Sequence, residues 1–180
     1  MNLLFRLFWL LVRARGQGTG SILGPCRTSF RVWPTDLDLL FHVNNGVYLS
    51  MMDLGRIDLM SRSGLAGRVR ERGWYPVVVA STIQFRRSLK LFQRFTIETR
   101  VLGWDEKAFL LEQRFERAGE VVAIAFVRAR FLARGGGNVP PTDVLALVDA
   151  GLQAPEIPED AAAWNTFAAE SWAPRVGRSA

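Results

Sequence analysis

Hydrophobic and polar positions alternate through the middle of the chain, and this period of two predicts β-strands. The alternating runs cover residues 28–33, 75–87, 95–102, 108–117 and 121–132. Segments 103–106 and 118–120 are short turns between the later runs. Because short turns join antiparallel neighbours, we expect the strands after residue 74 to form an antiparallel meander.

From Asn44 onward the period changes to that of a helix. Apolar or small residues recur at helical spacing through positions 48, 51, 52, 55 and 59. Asn44 or Asn45 is a suitable N-cap, and positions 63–64 are a suitable end. The helix is apolar around most of its circumference, which indicates burial. An antiparallel sheet wrapped around this long central helix is the simplest arrangement, an α+β fold of the hot-dog type.

The two ends of the chain add shorter elements. Residues 1–24 are predicted to form an amphipathic helix and a glycine-rich linker, ahead of a domain at 25–180 with a C-terminal helical tail. The apolar stretch 3–12 contains Arg6 and is shorter than the roughly 20 residues that span a bilayer. Either the helix packs on the domain or on a partner subunit, or it makes weak contact with an anionic membrane surface.

Composition limits the chemistry that the chain can perform. Its 180 residues carry a net charge of +6, with one cysteine and one histidine. The basic residues are spread out and no nucleic-acid motif accompanies them, so we expect no nucleic-acid partner. A single cysteine predicts a reducing, cytoplasmic location, and the low Cys and His content argues against a zinc site. No metal and no resident cofactor are expected.

The loop at 35–45 concentrates polar residues and leads directly into the predicted helix. Unpaired N–H groups near Val43 to Gly46, at the positive end of the helix dipole, suit a developing oxyanion. A carboxylate just upstream, Asp38, suits attack on a thioester carbonyl or activation of a water. An aspartate before a helix is also commonly a cap or turn residue, so spacing alone leaves both roles open.

Several motifs resemble the 4-hydroxybenzoyl-CoA thioesterase-like hot-dog family. They are WPTDLD at 33–38, HVNN at 42–45, Tyr48 and the pair Asp53 and Arg56. The later stretches FRRSLK at 85–90 and LGWDEKAF at 102–109 are similar to the thioesterase-superfamily-member branch. The resemblance runs from about residue 30 to 131.

The resemblance implies roles for individual residues. Asp38, ten positions before Tyr48, falls at the family's catalytic aspartate. His42 is a candidate general base or a helix-entry residue, and Asp53 is a second candidate carboxylate or a partner of Arg56. The predicted substrate-binding residues are Val43, Asn44, Asn45, Gly46, Tyr48, Arg86, Arg87 and Lys90. The last three suit the phosphates of coenzyme A, or form a solvated strand edge. Leu39, Leu40 and Phe41 are expected to crowd the site or to line an acyl channel.

Three functions are compatible with these features. The first is an acyl-CoA thioesterase that acts on a fatty or aromatic acyl-CoA. The alternative is a non-catalytic hot-dog protein that binds acyl-CoA or lipid, and a hydratase or dehydratase is the third. We expect a homodimer or homotetramer, because the sheet leaves a free edge and the run 121–132 is too apolar to face water.

Overall fold

The computed structural model of the protein describes residues 3–14 and 20–171. Its helices are α1 (Leu3–Ala14), α2 (Asn45–Arg62), α3 (Leu65–Glu71), α4 (Pro141–Ala146) and α5 (Glu159–Glu170). Its strands are β1 (Cys26–Arg31), β2 (Trp74–Phe85), β3 (Arg94–Trp104), β4 (Phe109–Arg117), β5 (Glu120–Ala133) and β6 (Asn138–Val139). The five predicted strands are confirmed, each within two residues of its expected ends.

The strands form one antiparallel sheet in the order β1-β3-β4-β5-β2, with β6 paired to the end of β5. The predicted α+β arrangement, a sheet curled against a long helix, is confirmed. The expected meander is correct for β3, β4 and β5 but wrong for β2, which pairs with β5 at the far side of the sheet. Consequently β5 is an interior strand with both edges paired, and the expected homodimer or homotetramer stays a prediction.

The segment 86–93 carries the chain from β2 across to β3. Leu89 in this segment is fully buried, and its carbonyl accepts the N–H of Val43 at 3.0 Å. An antiparallel bridge pairs His42 with Lys90. The crossing segment therefore lies against the loop that enters α2. A meander would lack this contact, and the contact brings the basic residues after β2 to the polar loop.

One face of α2 packs into the concave side of the sheet. The buried residues of the helix are Tyr48, Met51, Met52, Leu54, Gly55, Asp58 and Leu59. Leu49 and Asp53 are exposed, so the prediction of a helix buried around most of its circumference is wrong for the single chain. The caps agree with the sequence: the Asn44 side chain accepts the N–H of Gly46 at the start, and Ser63 caps the end.

Helix α2 approaches the sheet closely at Gly55. A Cβ atom at this position would lie 2.9 Å from Gln113 Nε2 and 2.9 Å from Thr99 Oγ1. Gln113 cannot easily move away, because its Nε2 donates to the Met52 carbonyl at 3.0 Å and to Thr99 Oγ1 at 2.9 Å. Only glycine allows the helix to lie this close to β3 and β4.

Helix α1 packs against α2 and is tied to the domain by a buried ion pair. Arg6 Nη2 lies 2.5 Å from Asp36 Oδ2 and donates to the Arg31 carbonyl at 3.1 Å. Asp36 also accepts the N–H of Trp33 at 2.7 Å. None of the helices within 3–14 and 20–171 is both long and apolar enough to cross a bilayer. The division into a segment 1–24 and a domain 25–180 stays a prediction, and residues 15–19 of the linker lie outside the described residues.

The C-terminal region covers the convex side of the sheet. A small second cluster packs Leu102, Leu110 and Ala161 with Phe126, Ile157 and Trp164. Arg128, buried in β5, contacts Asp105 at 2.6 Å and also Asn165 of α5. The predicted helical tail is thus an ordered layer. Residues 172–180 of the predicted tail lie outside the described residues.

We predict that Gly55→Ala lowers the free energy of unfolding by about 1–3 kcal/mol, because the added methyl group overpacks the contact with Gln113 and Thr99. Gly67→Ala is the matched control, because a Cβ there meets no atom within 4 Å. In a helix with open space, alanine should stabilise by up to about 1 kcal/mol. Urea unfolding measures both; a stabilised Gly55→Ala variant would contradict the close approach.

Candidate active site

The loop between β1 and α2 is organised around the carboxylate of Asp38. Its Oδ1 accepts the N–H of Leu40 at 2.8 Å and the N–H of His42 at 3.2 Å. The Asp38 N–H donates to the His42 carbonyl at 2.8 Å, and Leu37 forms an antiparallel bridge with Val43. The loop is therefore a small hairpin that holds Asp38 close to His42. Among the described residues, none bonds to the second carboxylate oxygen, Oδ2.

The tip of this hairpin carries three apolar side chains. Leu39, Leu40 and Phe41 are 97%, 73% and 76% exposed. Phe41 has a φ of 58°, in the left-handed region, where the chain reverses. The expectation that these residues crowd the site is wrong for the single chain, because the hairpin holds them in solvent. They form an apolar rim beside Asp38.

A shallow groove of about 210 Å³ lies beside Asp38. The residues that line it are Asp38, His42, Val43, Asn45, Tyr48, Phe85, Arg86, Arg87 and Ser88. The hairpin, the first turn of α2 and the crossing segment each contribute to it. Most of the residues predicted from the sequence therefore meet in one place. Asn44 and Gly46 are next to lining residues in the chain, Lys90 forms an antiparallel bridge with the lining residue His42, and Asp53 lies elsewhere.

Most N–H groups at the start of α2 already have acceptors. Val43 donates to the Leu89 carbonyl at 3.0 Å, and Asn44 donates to the Asp36 carbonyl at 2.8 Å. Gly46 donates to the Asn44 side chain at 2.8 Å. Of the four N–H groups from 43 to 46, Asn45 alone has no acceptor among the described residues. It is the first residue of α2, where the positive end of the helix dipole acts.

The basic residues after β2 give the groove a positive rim. Arg86 and Arg87 are both exposed. Arg86 has no carboxylate partner among the residues that the structure describes, whereas Arg87 pairs with Glu120 at 2.6 Å. Both members of this pair are more than half exposed, so the pair is weak and can be exchanged for another anion. The rim is therefore suited to a phosphate group.

Tyr48 and His42 form the inner part of the groove. The Tyr48 ring packs edge-on against Phe85 at 4.9 Å and against Phe115 at 5.0 Å. Burial raises the pKa of Tyr48, so its hydroxyl group stays protonated at neutral pH. His42 is half-buried, and its ring has no hydrogen-bond partner among the described residues. The ring nitrogens are thus available to a ligand in the groove.

Asp53 lies in a different part of the molecule. It pairs with Arg56 on the exposed side of α2 and lines an apolar cavity of about 510 Å³. The walls of the cavity come from α1, α2, α3 and the inner strands, including Leu7, Leu54, Ile57, Val101, Phe109 and Phe131. Within one chain, this cavity and the Asp38 groove share no lining residue. The two candidate carboxylates therefore belong to separate sites.

Sequence analysis missed Gln113, which connects Asp53 to the core. Gln113 is fully buried, and its Oε1 accepts a hydrogen bond from Arg56 Nη1 at 2.6 Å. Burial lowers the pKa of Arg56, and Asp53 opposes that shift. The sequence did contain a signal for this contact: Gln113 interrupts the apolar positions of an alternating strand. A buried amide needs hydrogen-bond partners, so such a glutamine points to polar side chains nearby. Arg56 is therefore held in place by Gln113 as well as by Asp53. The sequence spacing of three residues predicted only the pair with Asp53.

Neither a reactive cysteine nor a metal cluster accompanies these sites. Burial raises the pKa of Cys26 to about 11, and the nearby charge of Asp58 adds to the shift. The thiol is therefore protonated at neutral pH and is not an activated nucleophile. Within the described part of the chain, no three His, Cys, Asp or Glu side chains come together as a metal site.

Comparison with known proteins gives consistent matches. Residues 32–165 match the family model of the thioesterase-like superfamily. The chain is 41% identical over 140 residues to protein THEM6 of Xenopus laevis, covering 76% of this chain and 65% of that protein. It is 26% identical over 114 residues to a probable thioesterase of Saccharomyces cerevisiae, covering 62% of this chain and 50% of that protein. The chain thus spans between half and two thirds of these relatives.

A solved structure shows the same fold. A thioesterase of Thermus thermophilus, in complex with coenzyme A and zinc, superposes with a TM-score of 0.59 at 25% identity. The match covers 72% of this chain and 97% of that one. Helix α1 precedes the segment matched by the family model.

Proposed function

Because the chain belongs to the thioesterase-like superfamily, we propose that it hydrolyses the thioester of an acyl-CoA in the groove beside Asp38. The observation that carries this proposal is that two groups without hydrogen-bond partners among the described residues lie in the same groove. One is the second carboxylate oxygen of Asp38, and the other is the N–H of Asn45 at the helix start. A base or nucleophile and an oxyanion donor are the parts that acyl transfer requires.

In the proposed reaction, Asp38 removes a proton from water, and the resulting hydroxide adds to the thioester carbonyl carbon. The carbonyl oxygen becomes an oxyanion that the Asn45 N–H stabilises. The C–S bond then breaks, and the proton passes to the coenzyme A thiolate to give a free acid and a thiol. Direct attack by Asp38 would instead give an anhydride that water cleaves to the same products. His42 is placed to relay the proton in either route.

The positive rim supports coenzyme A as the leaving group. Arg86 and Arg87 lie at the open side of the same groove, where guanidinium groups suit phosphate. Lys90 is three residues further along the crossing segment and is exposed. We propose that these three residues hold the phosphates of the nucleotide part, which places the thioester toward the helix start.

The apolar cavity beside Asp53 supports an aliphatic or aromatic acyl group. Its volume of about 510 Å³ falls within the roughly 300–1,000 Å³ of typical ligand pockets. In one chain the cavity does not reach Asp38, so we propose that a second copy completes the site.

Strand β2 is the edge at which we propose that two copies pair. It bonds only to β5 within the described sheet, contains Pro76 and exposes Tyr75, Val78 and Phe85. An exposed apolar edge strand favours pairing with another strand. Sedimentation equilibrium should show a dimer, or a tetramer built from dimers, at micromolar concentration. A monomer under these conditions would rule out a site that needs two copies.

One observation favours the alternative, a protein that binds acyl-CoA or lipid without hydrolysis. Asp38 Oδ1 accepts two backbone N–H groups, as an aspartate that only organises its loop would do. In that case the groove still binds the nucleotide and no thiol is released. A reducing cytoplasmic location, the absence of a cofactor and a weak membrane contact of α1 also remain predictions.

We predict that Asp38→Asn reduces turnover of acyl-CoA by about 10²–10⁴-fold, because it removes the basic oxygen but keeps the size and most hydrogen bonds. Thermal stability should change little. Release of free thiol from short, long and aromatic acyl-CoAs measures the effect.

Asp53→Asn and Asp36→Asn are the two controls for this experiment. Asp53→Asn should retain turnover; loss of turnover in this variant alone would move the catalytic carboxylate to α2. Asp36→Asn should instead lower stability by about 3–5 kcal/mol, because the buried charge of Arg6 loses its partner.

We predict that Asn45→Pro reduces turnover by about 10²–10³-fold, because proline removes the N–H proposed to bind the oxyanion. Proline is favoured at the first position of a helix, and the extended ψ of 138° at Asn44 is compatible with a following proline. Stability should therefore be retained. Asn45→Ala, which keeps the N–H, is the control and should remain active; equal activity of both variants would exclude this donor.

A further inference from the structure

Helix α1 forms part of the wall of the apolar cavity in which we place the acyl group. Leu4 and Leu7 are one helical turn apart, both line the cavity, and Leu7 is half-buried. The buried pair of Arg6 with Asp36 holds the helix in this position. The family model matches residues 32–165, so this part of the wall comes from outside the matched segment. The size of the cavity therefore depends on the N-terminal helix of this chain.

The cavity has a polar rim and an apolar interior. Among the described residues that line it, Asp53 and Arg56 carry the charge, and the Asp53 side chain is 59% exposed. Ile22, Leu59 and Leu65 also line the cavity, and all three are buried. The cavity thus leads from the exposed side of α2 into the interior. Because burying a polar group without partners is costly, a chain with one polar end fits with its apolar end inward.

Helix α1 lies beside the C-terminal half of α2, toward the inner end of the cavity. Trp9 of α1 lines a neighbouring pocket together with Asp58 and Arg62 of α2. The residues of α2 that line the acyl cavity extend from Asp53 to Met60, which is about 10 Å along the helix axis. A ligand that enters beside Asp53 and extends along α2 therefore approaches α1.

The size of the cavity favours an aliphatic chain over a single aromatic ring. A closed apolar cavity of roughly 150 Å³ holds one benzene molecule, whereas this cavity measures about 510 Å³. The helices line it with flexible aliphatic side chains, which include Leu7, Leu54, Ile57 and Met60. A ring alone would leave much of this space empty, and side chains that face empty space lose dispersion energy. A longer chain fills the space and restores those contacts.

We propose that the cavity takes a straight aliphatic acyl chain whose methyl end meets Leu7 of α1, an inference that rests on the proposed function for the thioester at the other end. Leu7 then sets the longest chain that fits and is a specificity-determining residue. Each methylene group that moves from water into the cavity should strengthen binding by about fourfold. Once the chain reaches Leu7, additional methylene groups stay in water, and the gain stops.

The test is a calorimetric titration of the full chain with alkyl-CoA thioethers whose chains lengthen in steps of two carbons. These probes contain no thioester, so their binding is measured independently of turnover. We expect the dissociation constant to fall with chain length and then to level off. A benzyl-CoA thioether should bind more weakly than the alkyl probe at which the curve levels off.

Substitutions at Leu7 should move the chain length at which binding levels off. Leu7→Ala enlarges the cavity and should move it to longer chains by at least one step. Leu7→Trp fills part of the cavity and should move it to shorter chains. Phe8→Ala is the matched control and should leave it unchanged, because Phe8 is 61% exposed and does not line the cavity. Thermal unfolding checks that each variant folds, and Leu7→Ala alone decides the question if Leu7→Trp does not fold.

The proposal is overturned if the Leu7 variants and the wild type level off at the same chain length, or if chain length does not affect the dissociation constant. Binding of the benzyl probe as tightly as the best alkyl probe would also overturn it. Failure of the proposed function gives a different result, because the wild type would then release no thiol from acyl-CoA. A shift of the length dependence in the Leu7 variants would still support the chain-length role in that case.

Discussion

The close approach of α2 to the sheet at Gly55 sets the position of everything around the groove. Because no Cβ separates the helix from Thr99 and Gln113, α2 lies directly on β3 and β4. Gln113 holds the helix in this position, because it forms hydrogen bonds to the Met52 carbonyl and to the Arg56 side chain. A helix held further out would separate Asn45 from the hairpin at Asp38 and from the crossing segment.

The groove forms where three backbone segments that are distant in sequence meet at one end of α2. Each segment satisfies the polar groups of another: Val43 donates to Leu89, and Asn44 donates to Asp36. Of the N–H groups at positions 43–46, this pairing leaves that of Asn45 without an acceptor among the described residues. The hairpin holds the carboxylate of Asp38 with one oxygen engaged. In the proposed reaction, the two remaining groups act on the thioester.

Much of this architecture followed from the sequence, because strand alternation and helical spacing are local signals. The strands at 95–102, 108–117 and 121–132 and the cap at Asn44 were predicted correctly. The position of β2 in the sheet was not predicted correctly. Its pairing with β5 depends on the segment that crosses from β2 to β3, and no local sequence pattern specifies such a crossing. The groove at Asp38 was anticipated through its motifs. The cavity beside Asp53, the buried pair of Arg6 with Asp36 and the exposed tip at Leu39 depend on tertiary contacts between distant segments, so spacing could not reveal them.

The central claim is that the thioester carbonyl binds at the N–H of Asn45. The most direct measurement is an amide NMR titration of the labelled protein with a non-hydrolysable ketone analogue of acyl-CoA, in which a methylene group between sulfur and carbonyl prevents hydrolysis and the carbonyl oxygen is kept. The account predicts that the amide resonance of Asn45 shows the largest hydrogen-bond-dependent shift, with smaller changes at His42 and Arg86. It is contradicted if the amide resonance of Asn45 is unaffected at saturation, because the reacting carbonyl would then lie away from the start of α2.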